Sequence, residues 1–386
     1  MTTTLDEGKA EQFAARMMGV LNDAFVGLLT SIGHRTGLFD TMAALPPSTS
    51  VEIAAVSGLD ERYVREWLAT MTMGGVVEYD PAGLTYVLPA EHAAFLTRAA
   101  GPDNLATLAQ YISSNGEVEN GIVACFRHGG GLPYSAYERF HAIMAEDSGQ
   151  VFDSALLTNT VDLLPGMRER LCEGVDVLDI GCGSGHAVNL LAREFPNSRV
   201  HGYDFSEEAV ERGRREATEW KLTNASFKRQ DVAELTEVAA FDLITAFDTI
   251  HDQARPDRVL DAVARALRDD GTFLMVDVAA SSNLEENAGH PLGAFLYGLS
   301  TMHCMSVSLG LGGMGLGTMW GEQKALEMLA DAGFGEVDVR RVEGDVFNNF
   351  YVAQKSERDQ TPAALSGAHR PPQSRSRRRR AAAGPI

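Results

Sequence analysis

The chain has 386 residues, is 45% hydrophobic and 22% charged, and carries a net charge of −20, which suits an ordinary globular protein with ample core. Before the C-terminal tail there are 26 basic side chains against 51 acidic ones, so the body repels nucleic acid and other polyanions. Cys125, Cys172, Cys182 and Cys304 lie far apart with no Cys-x-x-Cys pair, which argues against a zinc knuckle and a disulfide framework.

The N-terminus has no basic stretch before an apolar one, and no run of about 18 uncharged apolar residues occurs. Neither a secretory signal nor a membrane partner is expected, and the cytoplasm is the expected location. Phe25 to Gly33 reads as an apolar helix followed by a turn through Thr36 to Asp40. Thr49 to Ser57, the Gly58 turn and Asp60 to Met73 read as a helix-turn-helix, and Val76 to Tyr79 with Leu84 to Leu88 as a hairpin wing. The pattern is a winged helix. Its second helix opens Asp60-Glu61-Arg62-Tyr63-Val64-Arg65-Glu66-Trp67, with three acids against two arginines, so nucleic acid is an unlikely partner.

An apolar run then ends in Asp179-Ile180-Gly181-Cys182-Gly183-Ser184-Gly185, and a helical pattern follows at once. Glycine takes positive φ at little cost and has no Cβ, so such a loop turns sharply and lets a ligand approach the backbone. The third glycine stands one residue too early for the dinucleotide pattern Gly-x-Gly-x-x-Gly. A second strand ends in Asp204, 23 residues after Gly181, near the offset at which such folds hold a ribose. Further β-prone runs are Ala225 to Val232, Phe241 to Phe247 and Thr272 to Val278. A helix from Arg258 to Leu267 is stopped by Asp269-Asp270-Gly271, and Glu336 to Val342 and Val346 to Gln354 alternate like an antiparallel pair. The alternation is that of an α/β fold.

These motifs together resemble class I S-adenosylmethionine (SAM) methyltransferases over residues 150 to 355. The winged helix before them resembles actinobacterial winged-helix small-molecule methyltransferases, through stretches such as Ser31 to Phe39 and Thr318 to Gln323, and more distantly plant-type O-methyltransferases. The resemblance implies a Rossmann-like seven-stranded sheet preceded by a helical winged-helix domain. It divides the chain into a winged-helix and dimerisation domain over 1–100, a helical linker covering the site over 101–165, the SAM-binding domain over 166–355 and a disordered basic tail over 356–386. It also implies a homodimer and a small-molecule substrate.

For the cofactor SAM, the resemblance implies Asp179, Gly181, Gly183 and Gly185 around the methionine part, Asp204 on the ribose with Phe205 beside it, Asp231 and Val232 at the adenine, and Phe247 at the end of the fourth strand. His251 matches the family's general base, with Asp252 beside it and Asp277 as the partner that holds its tautomer; near its ordinary pKa it is neutral at pH 7. His303 lies in an insertion where relatives build the acceptor pocket. Some relatives that methylate carbon beside an α-keto acid use a metal. Here His251, Asp252 and His303 are the types of a two-histidine, one-carboxylate face for a divalent or iron-type metal, an alternative to a metal-free site. Leu309 to Gly317 reads as a mobile glycine loop, Tyr134 and Phe140 as aromatic walls, and Met302, Met305, Met314 and Met319 as pocket lining.

Overall fold

The computed structural model describes residues 5–342, 345 and 347–356, so the basic tail expected from 356 onward lies almost wholly outside the described residues. Helix α1 (Glu7–Thr36) starts where the Asp6 side chain accepts from the Lys9 amide and stops at Gly37, whose φ of 72° ends the helix. Helix α2 (Ser50–Ser57) opens with a reciprocal capping box between Thr49 and Glu52, and α3 (Glu61–Met73) is capped by Asp60. Strands β1 (Glu78–Asp80) and β2 (Thr85–Val87) pair antiparallel as the wing.

The amphipathic face of α3 buries Val64, Trp67, Leu68 and Met71 against Phe39, and the Trp67 Nε1–H donates to the Leu29 carbonyl of α1 at 2.8 Å. The outer face of α3 neutralises itself, since Arg62 pairs with Glu66 and Arg65 with Glu61. Helix α1 is long and apolar enough, by length and composition alone, to cross a membrane, and little of its apolar stretch is buried.

The winged helix meets the linker helices α4 (Leu105–Gly116), α5 (Glu119–His128) and α6 (Phe140–Val151). Buried His34 at the end of α1 bonds Glu146 of α6 at 2.8 Å, and the other Glu146 oxygen accepts from Gln110 of α4 at 3.0 Å. Arg98 closes this knot by donating to the His34 carbonyl and to Asp40.

The sheet that follows comprises β3 (Asp176–Ile180), β4 (Arg199–Asp204), β5 (Ala225–Arg229), β6 (Phe241–Phe247), β7 (Leu267–Val278), β8 (Phe334–Arg340) and β9 (Asn348–Lys355) in the order β5-β4-β3-β6-β7-β9-β8. The β3–β4, β3–β6, β4–β5 and β6–β7 pairs are parallel, and β9 runs antiparallel to both its neighbours. Its crossover helices are α7 (His186–Glu194), α8 (Glu207–Glu219) and α9 (Pro256–Ala266). The central strands have both faces covered, with Leu178, Ile244 and Phe273 in one core and Val177, Leu243 and Leu274 in the other, which is why they read as unbroken apolar runs.

Two boundaries differ from expectation. Helix α9 already ends at Ala266, because Leu267 pairs with Phe241 and the Asp269-Asp270-Gly271 segment becomes an irregularity within β7 rather than a turn before it. Strand β5 ends at Arg229, and Asp231 caps a following 3-10 turn through its bond to the Ala233 amide. The order of strands reverses between β3 and β6, and open α/β sheets bind ligands at the carboxyl ends of such a pair.

Candidate active site

At that crevice lies a cavity of about 370 Å³. Asp179, Gly181, Gly183, Asp204, Phe205, Asp231, Val232 and Phe247 all line it, so eight of the nine cofactor candidates share one wall. Gly185, the ninth, stands behind the loop: its φ is +75°, and a Cβ there would lie 2.3 Å from the Phe227 ring. Gly181 has φ +62°, and a Cβ would meet Thr249 at 2.3 Å, so the turn from β3 has room for neither a side chain nor an ordinary backbone. Gly183 differs, because the space beside it is open.

The two oxygens of Asp204 accept from the Gly183 amide at 3.0 Å and the Ser206 amide at 2.8 Å, which locks the loop to the end of β4 and still leaves a lone pair on each oxygen. Burial raises its pKa against the lowering by those two amides. Asp179 accepts from Thr245 at 2.7 Å, and burial pushes its carboxyl up to about 7. Phe247 meets Phe152 edge-on at 4.9 Å and Tyr134 meets Phe205 at 5.4 Å, so segments that follow and precede α6 roof the cavity with aromatic rings. Tyr134 and Phe140 line it, as expected. Five aspartates line the cavity, at positions 179, 204, 231, 248 and 252, which suits a cationic ligand. An open glycine cradle, a paired acid at the end of β4 and aromatic walls together fit SAM.

His251 is 4% exposed and stands just behind the cavity wall that Thr249 and Asp252 form. Its Nδ1 bonds Asp277 Oδ1 at 2.7 Å, and its Nε2 lies 3.3 Å from Asp252 Oδ1. Burial works to lower the imidazole pKa, but Asp277 and Asp252 outweigh it and hold the value well above its usual one. The two carboxylates thus make His251 more basic than a free imidazole.

His303 is brought near but turned away. Its ring stacks on Phe140 at 3.3 Å and meets Tyr137 edge-on at 4.5 Å, and both ring nitrogens are buried without hydrogen-bond partners. Burial lowers it to about 4, so the ring is neutral. Among the described residues the donors that converge on His251 and Asp252 come from Cys304, not His303. The cause is local: helix α10 (Gly293–Leu299) passes into α11 (Met305–Gly310) through a π turn over Ser300–Cys304, which rotates side chains off the ordinary helical register.

Asp248 is a site residue that sequence reading did not single out. It follows β6 with φ +49°, lines the cavity, and burial with the nearby Asp277 raises its carboxyl to about 7. Its signal was an acid at the carboxyl end of a central strand. Asp147 of α6, outside the cavity lining, accepts from the Tyr111 hydroxyl at 3.1 Å and is raised by burial to about 6.

The glycine segment read as a mobile loop is hydrogen-bonded along its second half. The Met314 amide donates to the Ala254 carbonyl at 3.0 Å, Gly315 to Ser308 Oγ at 3.0 Å, and Gly317 to the His251 carbonyl at 3.3 Å. None of Met302, Met305, Met314 and Met319 lines the cavity; Met319 packs instead with Val278 and Leu296.

Comparison with known proteins agrees with this fold. Residues 24–98 match a family described as the Rv2258c-like winged HTH domain, and residues 171–333 match one described as a methyltransferase domain. A fatty-acid O-methyltransferase of Mycolicibacterium smegmatis is 30% identical over 30% of this chain and 41% of its own length. The chain spans about half or less of the length of the curated relatives it matches. Among solved structures, the mitomycin 7-O-methyltransferase MmcR superposes with a TM-score of 0.67 at 17% identity, covering 90% of this chain and 100% of that one. Human N-acetylserotonin methyltransferase, solved in complex with SAM, gives 0.65 at 16% identity, covering 92% and 100%. At such identities the likeness is one of fold.

Proposed function

We propose that this chain, a class I SAM-dependent methyltransferase with an N-terminal winged-helix domain, methylates a small-molecule acceptor with His251 as the general base. The observation that carries the reading is the 2.7 Å bond from His251 Nδ1 to fully buried Asp277, at the end of the cavity beyond β6. That bond fixes the Nδ1–H tautomer and leaves Nε2 to exchange a proton on the Asp252 side.

Gly181, Gly183, Asp204, Asp231 and Val232 hold the donor, and Phe205 and Phe247 wall it in. When bound, SAM supplies a methyl group already activated on a positively charged sulfur. Asp277 and Asp252 raise the basicity of the ring, which strengthens it as a proton acceptor. The proton leaving the acceptor then rests at Nε2, and Asp277 with Asp252 stabilises the imidazolium. Tyr134 and Phe140 give the acceptor apolar surface and exclude water.

The winged helix serves pairing rather than DNA reading on this account. Phe13, Met17, Leu21 and Phe25 recur every four residues on α1 and are all exposed, a stripe that a second copy of the chain would cover. The activity is tested by incubating the protein with SAM and a panel of small hydroxylated acceptors while following S-adenosylhomocysteine release. Acceptor-dependent release supports the reading. Release that no small acceptor stimulates, alongside methylation of protein or nucleic acid, contradicts it.

A further inference from the structure

We propose that His251, Asp252 and Cys304 form a binding site for a zinc-class divalent cation, and that its occupancy takes the lone pair of the base out of use. The metal site stands on its own geometry; only the catalytic consequence rests on His251 being the base.

One ligand atom from each of the three residues lies within 4.8 Å of the other two. Zinc binds nitrogen, oxygen and sulfur at about 2.0 to 2.3 Å, so the edges of a tetrahedral site measure about 3.3 to 3.8 Å. The 3.3 Å between His251 Nε2 and Asp252 Oδ1 is already such an edge. The Asp277 bond occupies Nδ1 and leaves Nε2 facing Asp252, the carboxylate–histidine support that metal-bound imidazoles use. Asp252 Oδ1 is a buried oxygen with no hydrogen-bond partner, so an acceptor faces the imidazole with nothing else to satisfy it. Cys304 is a free thiol, 3% exposed.

A sulfur, a nitrogen and a single carboxylate select a borderline-soft ion over magnesium or calcium. Three protein ligands leave one position open, and Asp252 lines the cavity, so that position faces the acceptor space. Binding releases the thiol proton to solvent, and the imidazole holds the cation through the Nε2 lone pair. Nε2 then has no lone pair for an acceptor proton, and base-dependent methyl transfer stops. The set differs from the His251, Asp252 and His303 face expected from the sequence by one residue, and His303 plays no part in it.

The test uses metal-stripped full-length protein titrated with Co²⁺, followed by the near-ultraviolet absorption that a thiolate–cobalt bond produces, with Zn²⁺ as competitor. One equivalent should bind with that band. Cys304→Ser should abolish the band, and Cys304→Ser and Asp252→Asn should each weaken cobalt binding by at least about 30-fold, while His303→Ala stays within about threefold of wild type. A cooperative thermal melt of each variant, followed by circular dichroism, reports that the fold is intact. Absence of the band in wild type, unchanged cobalt affinity in Cys304→Ser, or its loss in His303→Ala overturns the proposal. The cobalt signal needs no turnover, so the metal site and the base assignment fail independently.

Discussion

Asp277 holds His251 by one oxygen at 2.7 Å, and the same oxygen accepts from the Val278 amide at 2.8 Å, so strand β7 itself sets the direction of the ring. Asp277→Asn keeps the shape but releases the tautomer. The expected outcome is a fall in kcat of about 10²-fold or more, the scale of general-base assistance, with SAM affinity unchanged. Steady-state rates beside calorimetric SAM titrations check it; equal rates in the two proteins would remove Asp277 from the mechanism.

Asp204→Ala takes away the acceptor of both the Gly183 and Ser206 amides and the charged partner proposed for the ribose. Hydrogen bonds to a charged group contribute about 1.5 to 3 kcal/mol, so SAM binding should weaken by about 10- to 150-fold. Isothermal titration gives the number directly, and an unchanged dissociation constant would show that the ribose does not sit at the end of β4.

The glycines of the loop should separate by environment. Gly185→Ala drives a Cβ into Phe227 at a φ of +75°, whereas Gly183→Ala meets open space and bears only the backbone strain of φ +52°. Melting temperature should fall clearly more for Gly185→Ala, while Gly183→Ala should lose SAM binding with little loss of stability. Equal thermal losses in the two variants would contradict this division of labour.

His186 bonds Glu216 through Nδ1 at 2.7 Å and Asp153 through Nε2 at 2.9 Å, tying the segment after α6 to the start of α7. An imidazole that donates from both nitrogens is protonated, and the Glu216 bond raises its pKa, with burial opposing. Because the folded value is raised, the clasp contributes fully below the unfolded value of about 6.5 and is lost as pH rises through the folded one. His186→Gln should therefore lower the melting temperature at pH 6 and make progressively less difference toward pH 9. A difference constant with pH would mean that the ring is neutral throughout.

Leu21→Glu with Phe25→Glu places two charges on the exposed stripe of α1. Sedimentation should change from dimer to monomer with the melting curve of the monomer core retained. A wild-type protein that sediments as a monomer would refute the pairing role.

The parallel sheet was legible because β3, β6 and β7 are buried on both faces and appear as apolar runs, and the loop was legible because three glycines with positive φ leave a spacing in the chain. Asp204 and Asp277 were legible as acids at strand ends. Cys304 was not, since a π turn shifts which neighbour faces His251, and no periodicity reports such a turn. The raised basicity of His251 was legible only in part: Asp252 is its neighbour in the chain and Asp277 an acid at a strand end, but their combined effect depends on the burial that the fold gives the ring.

The central claim is most directly tested by the single-turnover rate of methyl transfer in His251→Ala, measured with saturating SAM and an acceptor found active with the wild type. The account predicts a loss of about 10²- to 10⁴-fold with SAM affinity within twofold of wild type. A rate within a few-fold of wild type, with SAM bound equally well, would contradict His251 as the base.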